Sequence, residues 1–543
     1  MQVAAKESPV PDTGSRARRW AGIGPVLWAA LVYVVLTAAV LVISWRTSDH
    51  HFIYALDDTY IGMAMAKNLA LHGVWGVSPY GFSSSDSSLL FPLLMAAGFR
   101  LVGVRVGVPL FLSWVAGLLS IFAAGRVVAR YLERKWQTWV LILFVLFTPL
   151  FVAGTIGMEH SLHLLLTLMF LGFFLRGENA DARPVNLWAI GAVAALMVAA
   201  RYEGLFFVAP AVCVLALQRR WKAACAVAVG AAVPVCAYAA FSMAHGAYWL
   251  PNSVALKGVS GDHPGLAQAW ANLAERVKEN FQDGPQVFLL MAAAGAALIG
   301  LGRRNGRASI PLALLLAAAC LQVSLAQVGM YYRYDAYLFG AGTVVLACTL
   351  PAAKKAAGKT MFTASYFLTL GTLVALTIVS IAQFHMLPRI ARNIYLRQWQ
   401  MGRFVGEYYP GATVAANDIG AVNYLSHSHC YDLVGLANQE IFWARRSGGY
   451  TTDFLREDAA AHHVQIAIAY DRWFGDPPGV PVGGPPLPGN WIRVAHWQID
   501  DPTIIGDTVV SFYAVDPAQA PVLRADLEQF EKTVPGPVRL ELQ

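Results

Sequence analysis

The sequence predicts a polytopic α-helical membrane protein, with about eleven transmembrane helices and a C-terminal extracytoplasmic α/β domain. Three observations predict it. Of the 543 residues, 57% are hydrophobic and only 13% charged, which excludes an ordinary soluble protein. Long uncharged runs recur as far as about residue 383. Beyond that point the chain turns polar and carries short strand-like segments between Gly and Pro clusters. The formal charge of +7 would suit nucleic acid, but the basic residues stand in short clusters between apolar runs. Orientation in the membrane explains them, and no nucleic-acid partner is expected.

The first run, Ala21 to Trp45, supplies about 25 mostly apolar positions where a bilayer core needs roughly 20. Arg16, Arg18 and Arg19 precede it, and no small-residue cleavage pattern follows at Arg46 to His51. A retained signal anchor is therefore expected, with the arm 1–20 in the cytoplasm. Further runs cover 106–125, 138–154, 161–175, 186–200, 204–218, 222–243, 285–302, 308–328, 334–350 and 361–383. The run Leu89 to Gly103 is short, contains Arg100 and follows a serine-rich stretch, so it reads as an interfacial helix within a first outer loop, 46–105. With that choice the cytoplasmic loops become Arg126 to Lys135, Arg176 to Arg183, Arg219 to Lys222, Arg303 to Arg307 and Lys354 to Lys359. Every one carries at least two Lys or Arg, the residues the positive-inside rule counts. An odd number of spans also sends the tail outside. The chain then divides into the arm 1–20, a membrane domain 21–383 and an extracytoplasmic domain 384–543. In the tail, 412–418, 464–470, 491–499 and 508–515 have strand composition. Five of the six cysteines lie in or beside apolar runs and Cys430 stands alone in the tail, so no disulfide framework or zinc site is implied.

This topology collects polar residues on the outer side. LDDTYIGMAMAKNLALHG brings Asp57 and Asp58 just past the first span; GTIGMEHS brings Glu159 and His160; ARYEG brings Arg201 and Glu203. YWLPNSVALKG adds Asn252 and Lys257, and GMYYRYDAY adds Tyr332, Arg333 and Asp335. Arg201, Lys257 and Arg333 lie where positive charge is normally depleted, and a bound phosphate would give each a reason. Duller readings stand beside these. Asp58 could cap a helix over Thr59 to Leu71 closed by Gly73, although a cap needs one carboxylate and not two. Glu159 could cap the next span or pair with His160. Arg201 with Glu203, and Arg333 with Asp335, could be local ion pairs. His50 and His51 adjoin the acid pair without a third ligand at suitable spacing. Asp418, after a strand-like run, suits a turn or an acceptor contact. Leu266, Trp270, Leu273, Val277 and Phe281 form one helical stripe, fit for the membrane surface or for packing.

Taken together, DDTYI with NLALHG, GMEHSLHLLL, RYEG, LPNSVALKG, and NDIGAVNYLS with DLVGL resemble the GT-C membrane glycosyltransferases. Within them the pattern is similar to the mycobacterial arabinofuranosyltransferase branch. It departs where relatives often carry Gly-Tyr-Thr-Asn-Pro and this chain reads GFSSSDSSLLFP, and where Tyr202 stands in place of a proline. The resemblance implies a sugar donor on a polyprenyl phosphate, arabinofuranose at the level of the branch, and a glycan or lipid acceptor of the cell envelope. It also implies an active site on the periplasmic side of a bacterial inner membrane. An acid of the first outer loop would activate the acceptor hydroxyl, and Asp57 is the first choice, with Asp58 second and Glu159 as helper. A poor nucleophile such as a sugar alcohol needs a positioned base, and a departing lipid phosphate needs positive charge, from Arg333, Arg201 and Lys257. His160, Glu203, Asn252, Tyr332, Asp335 and Asp418 are candidates for substrate contact. A divalent cation, Mg or Mn, is left open as cofactor, with Asp58, Glu159 and His160 as candidate ligands.

Two other classes compete. A secondary transporter would place its charges near the bilayer midplane on broken helices, whereas here the acids sit at the outer ends of spans. A membrane-anchored envelope-assembly protein would leave the work to the tail.

Overall fold

In the computed structural model the described residues are 23–176, 186–257, 266–301, 306–329, 333–356, 359–475, 483–501 and 507–543. Each apolar run of the sequence becomes helical. Four helices, Gly24–Thr47, Gly107–Tyr131, Trp221–Ala244 and Thr363–Tyr408, are individually long and apolar enough to cross a bilayer. Shorter apolar helices lie between them, among them Leu187–Ala200, Tyr202–Leu217, Ser309–Leu325 and Ala336–Thr349. The chain is a polytopic membrane protein. The run at 138–154 breaks into Arg134–Phe147 and Leu150–Thr155, because Pro149 offers no amide and disfavours helix in the residue before it. Helices Leu187–Ala200 and Trp221–Ala244 cross closely: a Cβ on Gly230 would run into the backbone of Gly191, the small-residue packing that membranes favour.

The last apolar run does not stop at residue 383. It continues as one helix, Lys359–Leu396, through Pro388. The amphipathic stripe lies on helix Leu266–Asp283, and its described part is bent 99° from the apolar helix Pro285–Leu301. Trp270 and Phe281 are exposed along it.

The tail folds around a six-stranded sheet in the order β2-β1-β3-β5-β4-β6. The strands are β1 Thr413–Ala416, β2 His429–Asp432, β3 Ile466–Ala469, β4 Ile492–Ile499, β5 Val509–Ala514 and β6 Val538–Leu542. β2, β1 and β3 run parallel, so each connection carries helices, Gly420–Leu425 after β1, then Gln439–Arg446 and Thr452–Ala461 after β2. β5, β4 and β6 are antiparallel. Four of these strands occupy the segments read from composition. β2 and β6 escaped that reading: HCYD shows no apolar alternation, whereas VRLEL does alternate, Val538, Leu540 and Leu542 with Arg539 and Glu541 between them, and its strand was legible. Trp497, Phe512 and Phe530 pack beneath the sheet with Phe404 from the preceding helix, Gln398–Tyr408.

Candidate active site

Helix Leu187–Ala200 ends at Arg201, whose backbone is extended at φ −157° and ψ 139°. A single 3-10 turn, Tyr202–Gly204, then starts the next apolar helix. This corner turns two side chains of opposite charge to the same side. The Arg201 guanidinium meets Glu203 twice, Nε to Oε2 at 3.2 Å and Nη2 to Oε1 at 2.6 Å, and its Nη1 bonds Glu159. All three side chains are largely withdrawn from water, with exposures of 5%, 16% and 3% for Arg201, Glu203 and Glu159. Glu159 enters from the neighbouring loop, where Gly157 takes φ 68° against the ring of Tyr54. Its backbone carbonyl begins the next helix by accepting from the His163 amide at 2.8 Å, so the side chain is left for Arg201. A few residues away Arg333 Nη2 pairs with Asp58 Oδ2 at 2.8 Å. Tyr334 lies between the two guanidinium groups, its ring centroid 5.4 Å from that of Arg201 and 4.8 Å from that of Arg333. Residues from positions 58, 159, 201, 203 and 333 thus meet in one cluster. Its three carboxylates face two guanidinium groups.

Asp57 has a different neighbourhood. The helix that opens at Asp57 runs to His72, and its cap residue is Leu56 with no side-chain bond, so neither acid caps it. Asp57 instead accepts the amides of Gly420 at 2.7 Å and Ala421 at 2.9 Å, at the first turn of helix Gly420–Leu425. A Cβ at Gly420 would collide with the Asp57 backbone, which is why glycine stands there. Lys67, ten residues on and so about 15 Å along the helix, donates to the carbonyls of Tyr424 at 2.6 Å, Asn423 at 3.3 Å and Ser426 at 3.4 Å. A carboxyl that accepts the first-turn amides and a lysine that donates to the last carbonyls satisfy backbone groups left open at both ends of the short helix. The outer loop therefore grips the sheet domain through Asp57 and Lys67, and it presents Asp58 to Arg333. Burial, and then the nearby charge of Asp418, pushes the Asp57 carboxyl up to about 8. Burial likewise raises Asp418, which accepts from Gln398 Nε2 at 2.7 Å.

Other sequence candidates fall outside the cluster. Asn252 donates to the carbonyls of Gly435 and Leu436, both at 3.2 Å, and its own amide bonds Ser84 at 2.8 Å. These bonds tie the loop that carries Asn252 to the sheet domain. Asp335 is fully buried and accepts the Gly329 amide at 3.2 Å, a turn contact made instead of the Arg333 pairing. Asp418 faces Gln398 and Asp57 and does not line the chamber described below. His160 is buried with its ring 6.2 Å from Tyr334. Lys257 closes helix Asn252–Lys257, and its side chain, like the whole of Tyr332, lies outside the described residues.

Three residues joined the site without being singled out in the sequence. Asp86, from the serine-rich stretch, is pushed up to about 8 by burial and then by the negative charge of Glu159. A lone acid amid five serines was its only signal. Lys67 was legible as a lysine on an otherwise apolar helical face. Arg446 lines the chamber from the sheet domain.

That chamber has a volume of about 600 Å³. Asp58, Arg201, Glu203 and Tyr334 form its polar end, and Leu205, Phe206, Val235 and Leu325, from the apolar helices around it, supply apolar wall. A mixed lining of this kind accommodates an amphiphilic head group and the start of its tail. The divalent cation fits poorly. Asp58 and Glu159 each hold a guanidinium partner, and among the described residues no three His, Cys, Asp or Glu side chains converge as a cation site needs.

Comparison with known proteins agrees with this architecture. The family model described as dolichyl-phosphate-mannose-protein mannosyltransferase matches residues 86–243, and a model for a domain of unknown function matches residues 391–513. No curated protein sequence matches. Among solved structures, ArnT from Cupriavidus metallidurans in the apo state is 12% identical, with a TM-score of 0.50 over 90% of this chain and 98% of that one. The apo oligosaccharyltransferase of Archaeoglobus fulgidus is 13% identical, with a TM-score of 0.52 over 91% and 74%. AglB of the same organism, in complex with an inhibitory peptide and a dolichol-phosphate, is 13% identical, with a TM-score of 0.51 over 92% and 74%. At such identities the likeness fixes the fold alone. The chain has the fold of the GT-C class of membrane glycosyltransferases. The arabinofuranosyltransferase AftD from Mycobacteria, at a TM-score of 0.42, gives the arabinose branch no support.

Proposed function

We propose that the protein transfers a sugar from a polyprenyl-phosphate donor to a hydroxyl of a cell-envelope glycan or lipid, at the outer face of a bacterial inner membrane. In this reading the arm 1–20 is cytoplasmic, about eleven helices between residues 21 and 383 cross the bilayer, and residues 384–543 form an extracytoplasmic domain over the site. The arabinofuranose donor remains part of the proposal. The observation that carries it is the ion-paired cluster of Asp58, Arg333, Arg201, Glu159 and Glu203 at one end of a chamber with apolar walls.

Asp58 is the base. Its carboxylate is part exposed in the chamber, whereas Asp57 is held by two amides of the sheet domain. Asp58 takes the acceptor's hydroxyl proton as the oxygen attacks the anomeric carbon, and the bond from that carbon to the phosphate oxygen breaks. The electron pair leaves with the polyprenyl phosphate. Arg333, held buried and oriented by Asp58, Met158 and Tyr334, faces the charge that develops. Arg201 is a positioning residue, since Glu159 and Glu203 both hold it. AglB in complex with a dolichol-phosphate supports the donor class. The test is to incubate purified protein with a panel of polyprenyl-phosphate sugars and envelope acceptors and to identify products by mass spectrometry. A glycosidic product lost in Asp58→Asn is expected; no product from any donor would overturn the reading.

A further inference from the structure

From the geometry of the chamber we infer that the sheet domain completes the donor site, with Arg446 contacting the phosphate group esterified to the polyprenol. This rests on the proposed lipid-phosphate donor and assigns a task to the segment that a model for a domain of unknown function matches.

Arg446 is the last residue of helix Gln439–Arg446. Among the described residues it is the one that lines the chamber from beyond residue 334. The helix is fixed at its start, where the Asn438 side chain accepts the Ile441 amide at 3.0 Å. The turn just before it is tied to the outer loop by Asn252. The guanidinium lies over the ring of Tyr248, 4.7 Å from its centroid, and Phe442 and Trp443 pack on that ring at 5.6 and 5.7 Å. Tyr248 is held in turn by Ser242, whose hydroxyl donates to its carbonyl at 2.7 Å. A guanidinium held over an aromatic ring keeps its planar fork of N–H donors, which matches phosphate oxygens.

Charge decides what such a group meets. At the polar end, the carboxylates of Asp58, Glu159 and Glu203 outnumber the guanidinium groups of Arg201 and Arg333. A phosphate entering that end alone would meet net negative charge. A further lining cation, Arg446, comes from the sheet domain, over the ring of Tyr248. A phosphate between that end and Arg446 would keep the anomeric carbon toward Asp58 and its own oxygens toward Arg446.

The test uses the full chain in nanodiscs, with decaprenyl phosphate, decaprenol and inorganic phosphate as probes. Binding is read from tryptophan fluorescence, because Trp249 lines the chamber. Arg446→Gln should weaken decaprenyl phosphate binding about 10- to 100-fold and leave decaprenol binding unchanged. Arg446→Lys, which keeps charge but not the planar fork, should fall between, and the donor KM should rise with little change in kcat. Equal losses for decaprenol and decaprenyl phosphate, or wild-type affinity in Arg446→Gln, would overturn the inference while leaving the proposed function standing. Arg446-dependent binding of inorganic phosphate as tight as that of decaprenyl phosphate would overturn the lipid assignment. Failure of the wild-type protein to bind decaprenyl phosphate at all would overturn both readings.

Discussion

Replacing either acid of the pair by its amide separates two roles that adjacent positions conceal. In Asp58→Asn, Arg333 loses its counter-charge while 3% of its side chain remains exposed. At a charge separation of about 4 Å and an effective dielectric near 20 the pair is worth about 4 kcal/mol. Asp58 is itself 40% exposed, so water replaces part of that, and a stability loss of about 2 kcal/mol is expected. Loss of a general base should lower transfer by about 10²- to 10⁴-fold. In Asp57→Asn one oxygen still accepts an amide, the other contact is lost, and about 1.5 to 3 kcal/mol of docking goes with it. Transfer should then fall by no more than about tenfold, through misplacement of Asp58. The assay pairs initial transfer rates in proteoliposomes with protease protection of the sheet domain. Asp57→Asn abolishing transfer with the domain still protected, while Asp58→Asn retains activity, would refute the assignment.

Lys67→Met removes the donor to three carbonyls and should free the sheet domain to limited proteolysis, at a cost of about 2 to 3 kcal/mol. Arg201→Met leaves Glu159 and Glu203 buried without a counter-ion and should cost about 3 to 5 kcal/mol in thermal unfolding, more than Glu203→Gln, which keeps the Glu159 pair. A pH series tests the clamp. The Asp57 carboxyl is raised from 3.8 to about 8 in the folded protein, so the folded state holds more protons than the unfolded one. The stability this contributes is complete below the unfolded value and is lost as pH rises through about 8. The apparent Tm of the wild type should therefore fall across that window more steeply than that of Asp57→Asn; parallel curves would show that Asp57 does not titrate there.

Much of the helical architecture was legible because a membrane span needs no partner to declare itself: an uncharged run satisfies its backbone internally and hides its side chains in lipid. Basic loops added direction. The parallel half of the sheet was less so, since β2 is four residues long and takes its place only by pairing with β1. All five residues of the cluster stood among the sequence candidates, because charges at the ends of apolar helices need compensation. Their pairing was not legible. Arg333 next to Asp335 and Glu159 next to His160 look like local partners, yet each reaches across the bundle, to Asp58 and to Arg201.

Sequence by itself determined the class of the protein: apolar helices, the polar loops between them and four of the six described strands of the tail, all properties set by local periodicity and composition. Tertiary structure decided which of two neighbouring aspartates faces the chamber. Successive residues at a helix start point about 100° apart, so Asp57 and Asp58 turn to different neighbours, and only the position of helix Gly420–Leu425 says which is withdrawn. The same long-range packing brought in Lys67, Asp86 and Arg446, whose roles depend on partners hundreds of residues away or on another element's wall.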